Sequence, residues 1–300
     1  MKQNLEKINS INKRTYFKEK LSKYNWFNSG GPAEIFFRPN NPEELSLFLK
    51  KLEEKKKVSI IGAGSNTLIR DGGIDGVTIK LSSKFSFIKM LENNIIEAGA
   101  ATPDKQVSDF ATKNSLTGFE FLTCIPGSIG GGIKMNTGCY NQEISQILFS
   151  LTAMDEKGNI KEIKRDKINF SYRKTDLPDN LIILSAKFKG SLSEKDEIKK
   201  RQLEFLKKKK ESQPSKVKTC GSTFKNTKDK KAWVLIKESN CQNMSVGDAK
   251  ISEKHCNFFI NNGKASSKDI EDLFQKVKKQ VFEKTGVNLE LEIKIIGNNQ

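Results

Sequence analysis

Val58-Ser59-Ile60-Ile61 runs directly into Gly62-Ala63-Gly64-Ser65-Asn66, and this junction decides how the chain is read. The short β-branched run reads as a buried strand. Glycines at its end let the backbone approach a ligand, so that successive N–H groups can face phosphate oxygens. The dinucleotide fingerprint G-x-G-x-x-G would require glycine at position 67, which is Thr67, so the close helix–sheet packing of a Rossmann unit is not specified. On spacing alone, phosphate binding and an ordinary tight turn compete evenly.

Working outward, Asn41-Pro42-Glu43-Glu44 starts a helix, with Asn as N-cap, Pro at the first helical position and Leu45, Phe48, Leu49 and Leu52 on one face. Residues 77–81 read as a further strand. Residues 85–90 and 95–98 flank Asn93-Asn94 as a hairpin, and Pro103 opens a helix carrying Val107, Phe110 and Ala111. Strands are expected at 147–154 and 160–163, paired across residues 156–159, and at 181–188. Residues 195–218 hold ten Lys/Arg against four acids and suggest a weakly amphipathic connecting helix. A final helix runs from a Ser266 or Ser267 cap to Gly286, and residues 287–295 alternate as a strand.

The 300 residues suffice for two or three domains, and nineteen Phe spread along the chain argue against wholesale disorder. The N-terminal twenty residues interleave charges with no apolar core, and the uncharged stretch 122–133 is too short to span a bilayer, so the chain reads as soluble and cytoplasmic, with no membrane partner. Five cysteines, odd in number and widely spaced, suggest neither a disulfide framework nor a metal site. The net charge of +17 raises nucleic acid as a partner, but the densest basic run, 207–210, has only Phe205 near it, so nucleic acid is set aside.

Ile125-Pro126-Gly127-Ser128-Ile129-Gly130-Gly131-Gly132 is more telling, because four glycines and a proline in eight residues cost backbone entropy and do little for a core. Such a run implies contact with a ligand, and Asn136 extends it with an amide. Tyr172-Arg173, Gly221-Ser222-Thr223-Phe224-Lys225-Asn226, and Glu290 with Glu292 are polar islands that together propose a site for an anionic substrate. His255 reads as structural.

Taken in order, Trp26-Phe27-Asn28-Ser29-Gly30-Gly31-Pro32, the Gly62–Asn66 loop with Asp71 and Gly76, Phe119-Glu120-Phe121 before the 125–131 loop, Met135-Asn136, Tyr172-Arg173, residues 221–226, Ser252-Glu253-Lys254-His255 and Glu292 resemble the UDP-N-acetylenolpyruvoylglucosamine reductase family over residues 15–297. The resemblance implies an α+β protein with a two-part FAD-binding region of the vanillyl-alcohol-oxidase type (1–84 and 85–205) and a C-terminal α+β substrate-binding domain (206–300), whose last strand, 287–297, reaches the active site. It implies noncovalent FAD held by Gly62, Gly64, Ser65, Asn66, Pro126, Gly127, Ser128, Gly130, Gly131 and Asn136, with NADPH as hydride donor and a UDP-sugar enolpyruvyl ether as substrate. Arg173 would pair with the substrate carboxylate, Glu292 would polarise the enolate, and Ser222 would protonate it. Tyr172, Lys225 and Asn226 would bind the substrate. Only seven residues separate Arg173 from Leu181, which matches the short-loop subgroup, and a monomer is expected. Thr227, Cys139, Cys220 and Asn141 depart from the family's usual residues.

Overall fold

The computed structural model describes residues 13–52 and 56–299; most of the charged N-terminal stretch read above, residues 1–12, lies outside them. Contacts divide the chain into two units. One is built from Ile35–Ala63 and Gly76–Lys208 with the stretch up to Phe17, the other from Lys18–Glu34, Gly64–Asp75 and Lys209–Gln300. The expected regions 1–84 and 85–205 thus fall mostly in one unit. Segments 18–34 and 64–75 group instead with the C-terminal region, because Phe27 and Leu68 lie in its core and Thr67–Ile69 pairs in parallel with Lys294–Ile296.

Two sheets lie wholly or largely in the first unit. One has the strand order Thr15–Lys20, Pro32–Phe37, Ile74–Ile79, Val58–Ile60, the last two parallel. Helix α1 (Pro42–Lys51) begins as its sequence dictates, with the Asn41 side chain accepting from Glu44 N at 2.8 Å. It buries Leu45, Phe48 and Leu49, and Phe48 stacks on Phe37 at 3.9 Å between ring centroids. The second sheet is antiparallel, in the order Ile160–Lys164, Leu148–Met154, Ile182–Lys189, Ile95–Gly99, Ile88–Met90. Asn93 and Asn94 turn its last hairpin with φ of 59° and 60°, the paired left-handed residues of a type I′ turn. Helix α2 (Asp104–Lys113) packs Val107 and Ala111 against this sheet's core. The glycine-rich run is not irregular throughout: Ile129–Lys134 forms a six-residue helix, α3, because Ile129 and Ile133, one turn apart, are both buried. Helix α4 (Lys195–Ser212) buries only Ile198 and Gln202, and Arg201 ties it down through a 2.8 Å ion pair with buried Glu120.

The second unit centres on α6 (Ser267–Thr285), which follows α5 (Ala232–Glu238). Phe27, Phe224, Phe259 and Phe274 form its aromatic core, with Phe259 and Phe274 edge-to-face at 5.2 Å. A three-stranded antiparallel sheet runs Ser245–Val246, Ala249–Ile251, Phe259–Asn261. The strand read at 287–297 needs correction. Its burial alternates as expected, with Leu289 and Ile293 inside, but the backbone changes partner midway. Leu291 bridges antiparallel to Phe224, whereas only Lys294–Ile296 joins Thr67–Ile69. A period-two pattern reports which side faces the core and is silent on which strand lies alongside. No helix among the described residues is long and apolar enough to cross a membrane.

Candidate functional site

In the first unit the expected residues gather around two loops. Gly62 is exposed at the strand end, and a Cβ placed on it would meet Ser128 Oγ at 3.2 Å and the Gly131 backbone at 3.9 Å. The two loops therefore meet here, the buried Ser128 hydroxyl facing Gly62, with no side chain of position 62 in the way. Pro126 is exposed beside them. Other members of the glycine run work inside the fold: the Gly127 carbonyl accepts from Asp104 N at 3.2 Å, and Gly130 N donates to Ala100 O at 2.9 Å. Asn136 is fully buried, donating through Nδ2 to Glu143 at 2.8 Å and Ser171 O at 3.1 Å, and accepting from Ser145 N. Its side chain thus braces the site from within.

Tyr172 and Arg173 are the two loop residues of a hairpin between Phe170–Ser171 and Lys174–Thr175. Arg173 has φ of 57°, a left-handed conformation uncommon outside glycine and asparagine, and such strain concentrates at working positions. Its guanidinium lies 4.9 Å from the Tyr172 ring centroid and donates to Gly138 O at 2.8 Å. Departures nearby are absorbed locally. Tyr140 and Asn141, at φ of 52° and 64°, turn the hairpin that pairs Cys139 with Gln142.

In the second unit, Gly64 takes φ of 72°, and a Cβ there would collide with the Tyr24 carbonyl, so only glycine fits. Asn66 donates through Nδ2 to Glu292 O at 3.0 Å, and its own carbonyl accepts from Lys294 N at 3.0 Å. Residues 222–225 run extended between two neighbours. Ser222 bridges to Phe258, Thr223 O accepts from Glu292 N at 2.8 Å, and Lys225 N donates to Glu290 O at 2.8 Å. Asn66, Ser222, Lys225 and Glu292 are thereby brought into one backbone network, which sequence reasoning did not anticipate. Lys225 pairs with Glu290 at 3.2 Å, and the Asn226 side-chain oxygen Oδ1 accepts from Ala232 N at the start of α5. Cys220 is buried, its thiol donating to Thr67 O at 3.3 Å and pushed up to about 12 by burial. His255 sits between the Trp233 and Phe258 rings, accepts from Asn257 N on Nδ1, and is held below its usual range by burial, as suits the structural role expected of it. None of the five cysteines forms a disulfide.

An FAD binding domain matches over residues 33–164, and a UDP-N-acetylenolpyruvoylglucosamine reductase C-terminal domain over residues 213–296. The chain is 52% identical over 291 residues to the UDP-N-acetylenolpyruvoylglucosamine reductase of Pelagibacter ubique, covering 96% of each chain. It belongs to the UDP-N-acetylenolpyruvoylglucosamine reductase family. The Rickettsia massiliae member is 44% identical over 279 residues, spanning 93% of this chain and 94% of that one. The crystal structure of the Thermus caldophilus family member superimposes with a TM-score of 0.82 at 29% identity, over 94% of this chain and 98% of that one. Wild-type Phl p 4.0202, a glucose dehydrogenase, shares the fold alone: TM-score 0.50 and 9% identity over 64% of this chain and 44% of its own. As a family member the chain is an FAD-dependent oxidoreductase of α+β architecture. The exposed Gly62, with the Ser128 hydroxyl and the adjoining Gly131 close by, leaves backbone open for that cofactor to lie against.

Proposed function

We propose that the chain uses NADPH to reduce the enolpyruvyl ether of UDP-N-acetylglucosamine enolpyruvate to UDP-N-acetylmuramate, in peptidoglycan precursor synthesis, as a cytoplasmic monomer. The observation that carries this reading is the near full-length 52% identity to a UDP-N-acetylenolpyruvoylglucosamine reductase. Bound noncovalently, FAD would take hydride from the nicotinamide and supply it to the enolpyruvyl carbon. Gly62, Gly64, Ser65, Pro126, Ser128 and Gly131 would hold it.

The protein's own groups then manage charge and one proton. Arg173 binds the substrate carboxylate as a forked cation, where negative charge grows as hydride arrives. Glu292 polarises the enolate, and Ser222 delivers a proton to the adjacent carbon. A serine hydroxyl is a poor acid near neutrality, but an enolate carbon is basic enough to take its proton. Lys225 and Asn226 hold the diphosphate and sugar, and Tyr172 flanks them. The bridged strand carrying Ser222, with Thr223 O bonded to Glu292 N, supports a shared role for these two residues.

Purified protein is expected to be yellow, with flavin absorbance bleached by NADPH and restored by the enolpyruvyl substrate. Colourless protein that cannot be reconstituted with FAD overturns the reading. Ser222→Ala should leave reduction by NADPH intact and slow reoxidation by substrate by roughly 10²-fold or more. Equal losses in both half-reactions would remove Ser222 from its role as acid. Sedimentation of the FAD-loaded protein at the mass of one chain checks the monomer.

A further inference from the structure

Three strand ends lie side by side next to the exposed Gly62. Lys80 N donates to Phe37 O at 3.0 Å, which sets Lys80 beside Arg38, the next residue on that strand. Ile61 N donates to Ile79 O at 3.0 Å, which sets Gly62 on the other flank of Lys80. Val58–Ile60 and Ile74–Ile79 are parallel, so residues 62 and 80 sit beyond the carboxyl ends of adjacent parallel strands, where open sheets collect ligands.

Two cations share this corner. The Lys80 ammonium donates to the Gly62 carbonyl, and Arg38 Nε is buried with no hydrogen-bond partner. Among the described residues no carboxylate pairs with either cation. Burial first, and the neighbouring Arg38 charge second, pull the Lys80 amine down to about 8. Like charges held together, one with an orphaned donor, are unfavourable unless an anion joins them. Gly62 meets Ser128 and Gly131 on its far side, so the cations stand at the rim of the cofactor surface described above.

We propose that Arg38 and Lys80 form an anion subsite that holds a phosphate group of a dinucleotide alongside Gly62. This deepens the FAD-dependent reductase reading and rests on it. The backbone of the Gly62 loop supplies donors without net charge, whereas a phosphate carries one to two negative charges. A point-charge ammonium and a forked guanidinium supply what the backbone lacks. The ammonium also screens the phosphate from the Gly62 carbonyl, which would otherwise repel it. Two dinucleotides carry this chemistry, FAD and the nicotinamide donor, and the test separates them.

Apoprotein stripped of flavin is titrated with FAD and with riboflavin, following flavin fluorescence, for the wild type and for Lys80→Met, Arg38→Met and Lys80→Arg. If the phosphate belongs to FAD, Lys80→Met weakens FAD binding about tenfold or more, leaves riboflavin binding unchanged, and is rescued by Lys80→Arg. If it belongs to the nicotinamide donor, FAD affinity holds and the KM for NADPH rises by a similar factor at unchanged kcat. Wild-type values for both in Lys80→Met and Arg38→Met overturn the subsite, as does an equal loss of FAD and riboflavin, which would mark a merely structural role. The wild-type pH profile gives an independent check. The protonated amine is the binding form, so affinity for whichever dinucleotide is held should be full below pH 8 and fall above it; Arg38, the neighbour acting on Lys80, stays charged throughout. Should Lys80→Met fail to fold, affinity for both dinucleotides that stays flat from about pH 7 to 9.5 overturns the subsite by itself. A wild-type chain that binds no FAD sinks the underlying reading, an outcome distinct from a Lys80 variant that behaves as wild type.

Discussion

Asp104 is an ionisable side chain that the fold hides completely. It opens α2 fully buried, neither carboxyl oxygen has a hydrogen-bond partner, and a Cβ added at Gly127 would press on it. Burial pushes its carboxyl up to about 8. An unfolded aspartate titrates near 3.9, so as pH rises from about 4 the unfolded chain ionises first and folding stability falls, the loss completing near pH 8. Asp104→Asn keeps the shape without the charge. Its melting temperature should match wild type near pH 4 and exceed it at pH 9, by a margin worth at least about 1 kcal/mol. Parallel melting curves that never diverge between these limits would refute the buried-acid account. Asn66 makes a second case at this scale. Its amide holds the carbonyl of Glu292, whose N–H is held in turn by Thr223. Asn66→Ala should slow flavin reoxidation by substrate about tenfold through a displaced carboxylate. Loss of FAD affinity with unchanged reoxidation would assign the amide to the cofactor instead.

Among the elements, α6 shows how far local sequence carries. Ser266 and Asp269 form the capping box that their spacing prescribes, and Gly286 ends the helix at φ of 71°. Asp71 completes the start from a distant loop, accepting from Ser267 N at 3.0 Å and Lys268 N at 2.9 Å. Asp71→Ala should cost about 1–2 kcal/mol in chemical denaturation and Asp71→Asn less, since the amide keeps one acceptor. Equal losses would mean that charge, not acceptor geometry, is what matters. Helix caps, the Asn93-Asn94 turn and the alternation of residues 287–295 were legible because each is governed by neighbours within a few residues. The partner switch at Leu291, the joining of segments 18–34 and 64–75 to the C-terminal unit, and the inward amide of Asn136 were not, because each depends on chain more than a turn or hairpin away. The same division holds for the site. Residue types and order named Ser222, Arg173 and Glu292 by resemblance, whereas the Lys80–Arg38 pair arises only when two strand ends, 42 residues apart in the chain, meet.

At the scale of the whole molecule the +17 charge needs a use consistent with two anionic dinucleotides and a carboxylated sugar nucleotide. Much of it is dispersed. The polar helix Lys195–Ser212, for example, carries its cations on a surface that buries only Ile198 and Gln202. Dispersed charge contributes little to affinity at contact and acts over a Debye length, about 10 Å at 0.1 M salt, so its effect belongs in the encounter rate. The specific cations, Arg173, Lys225 and Lys80, sit beside partners and within loops, where salt screens them less. The two kinds of charge therefore separate by experiment. The second-order rate of flavin reduction by NADPH should fall about tenfold between roughly 10 and 300 mM salt, while the saturating rate stays constant. Replacing several of Lys207, Lys208, Lys209 and Lys210 with Gln should flatten that salt slope and leave the saturating rate unchanged. A steep slope that survives those replacements would locate the steering field elsewhere on the surface, and a saturating rate that falls with salt would show that the electrostatics act on the bound complex instead.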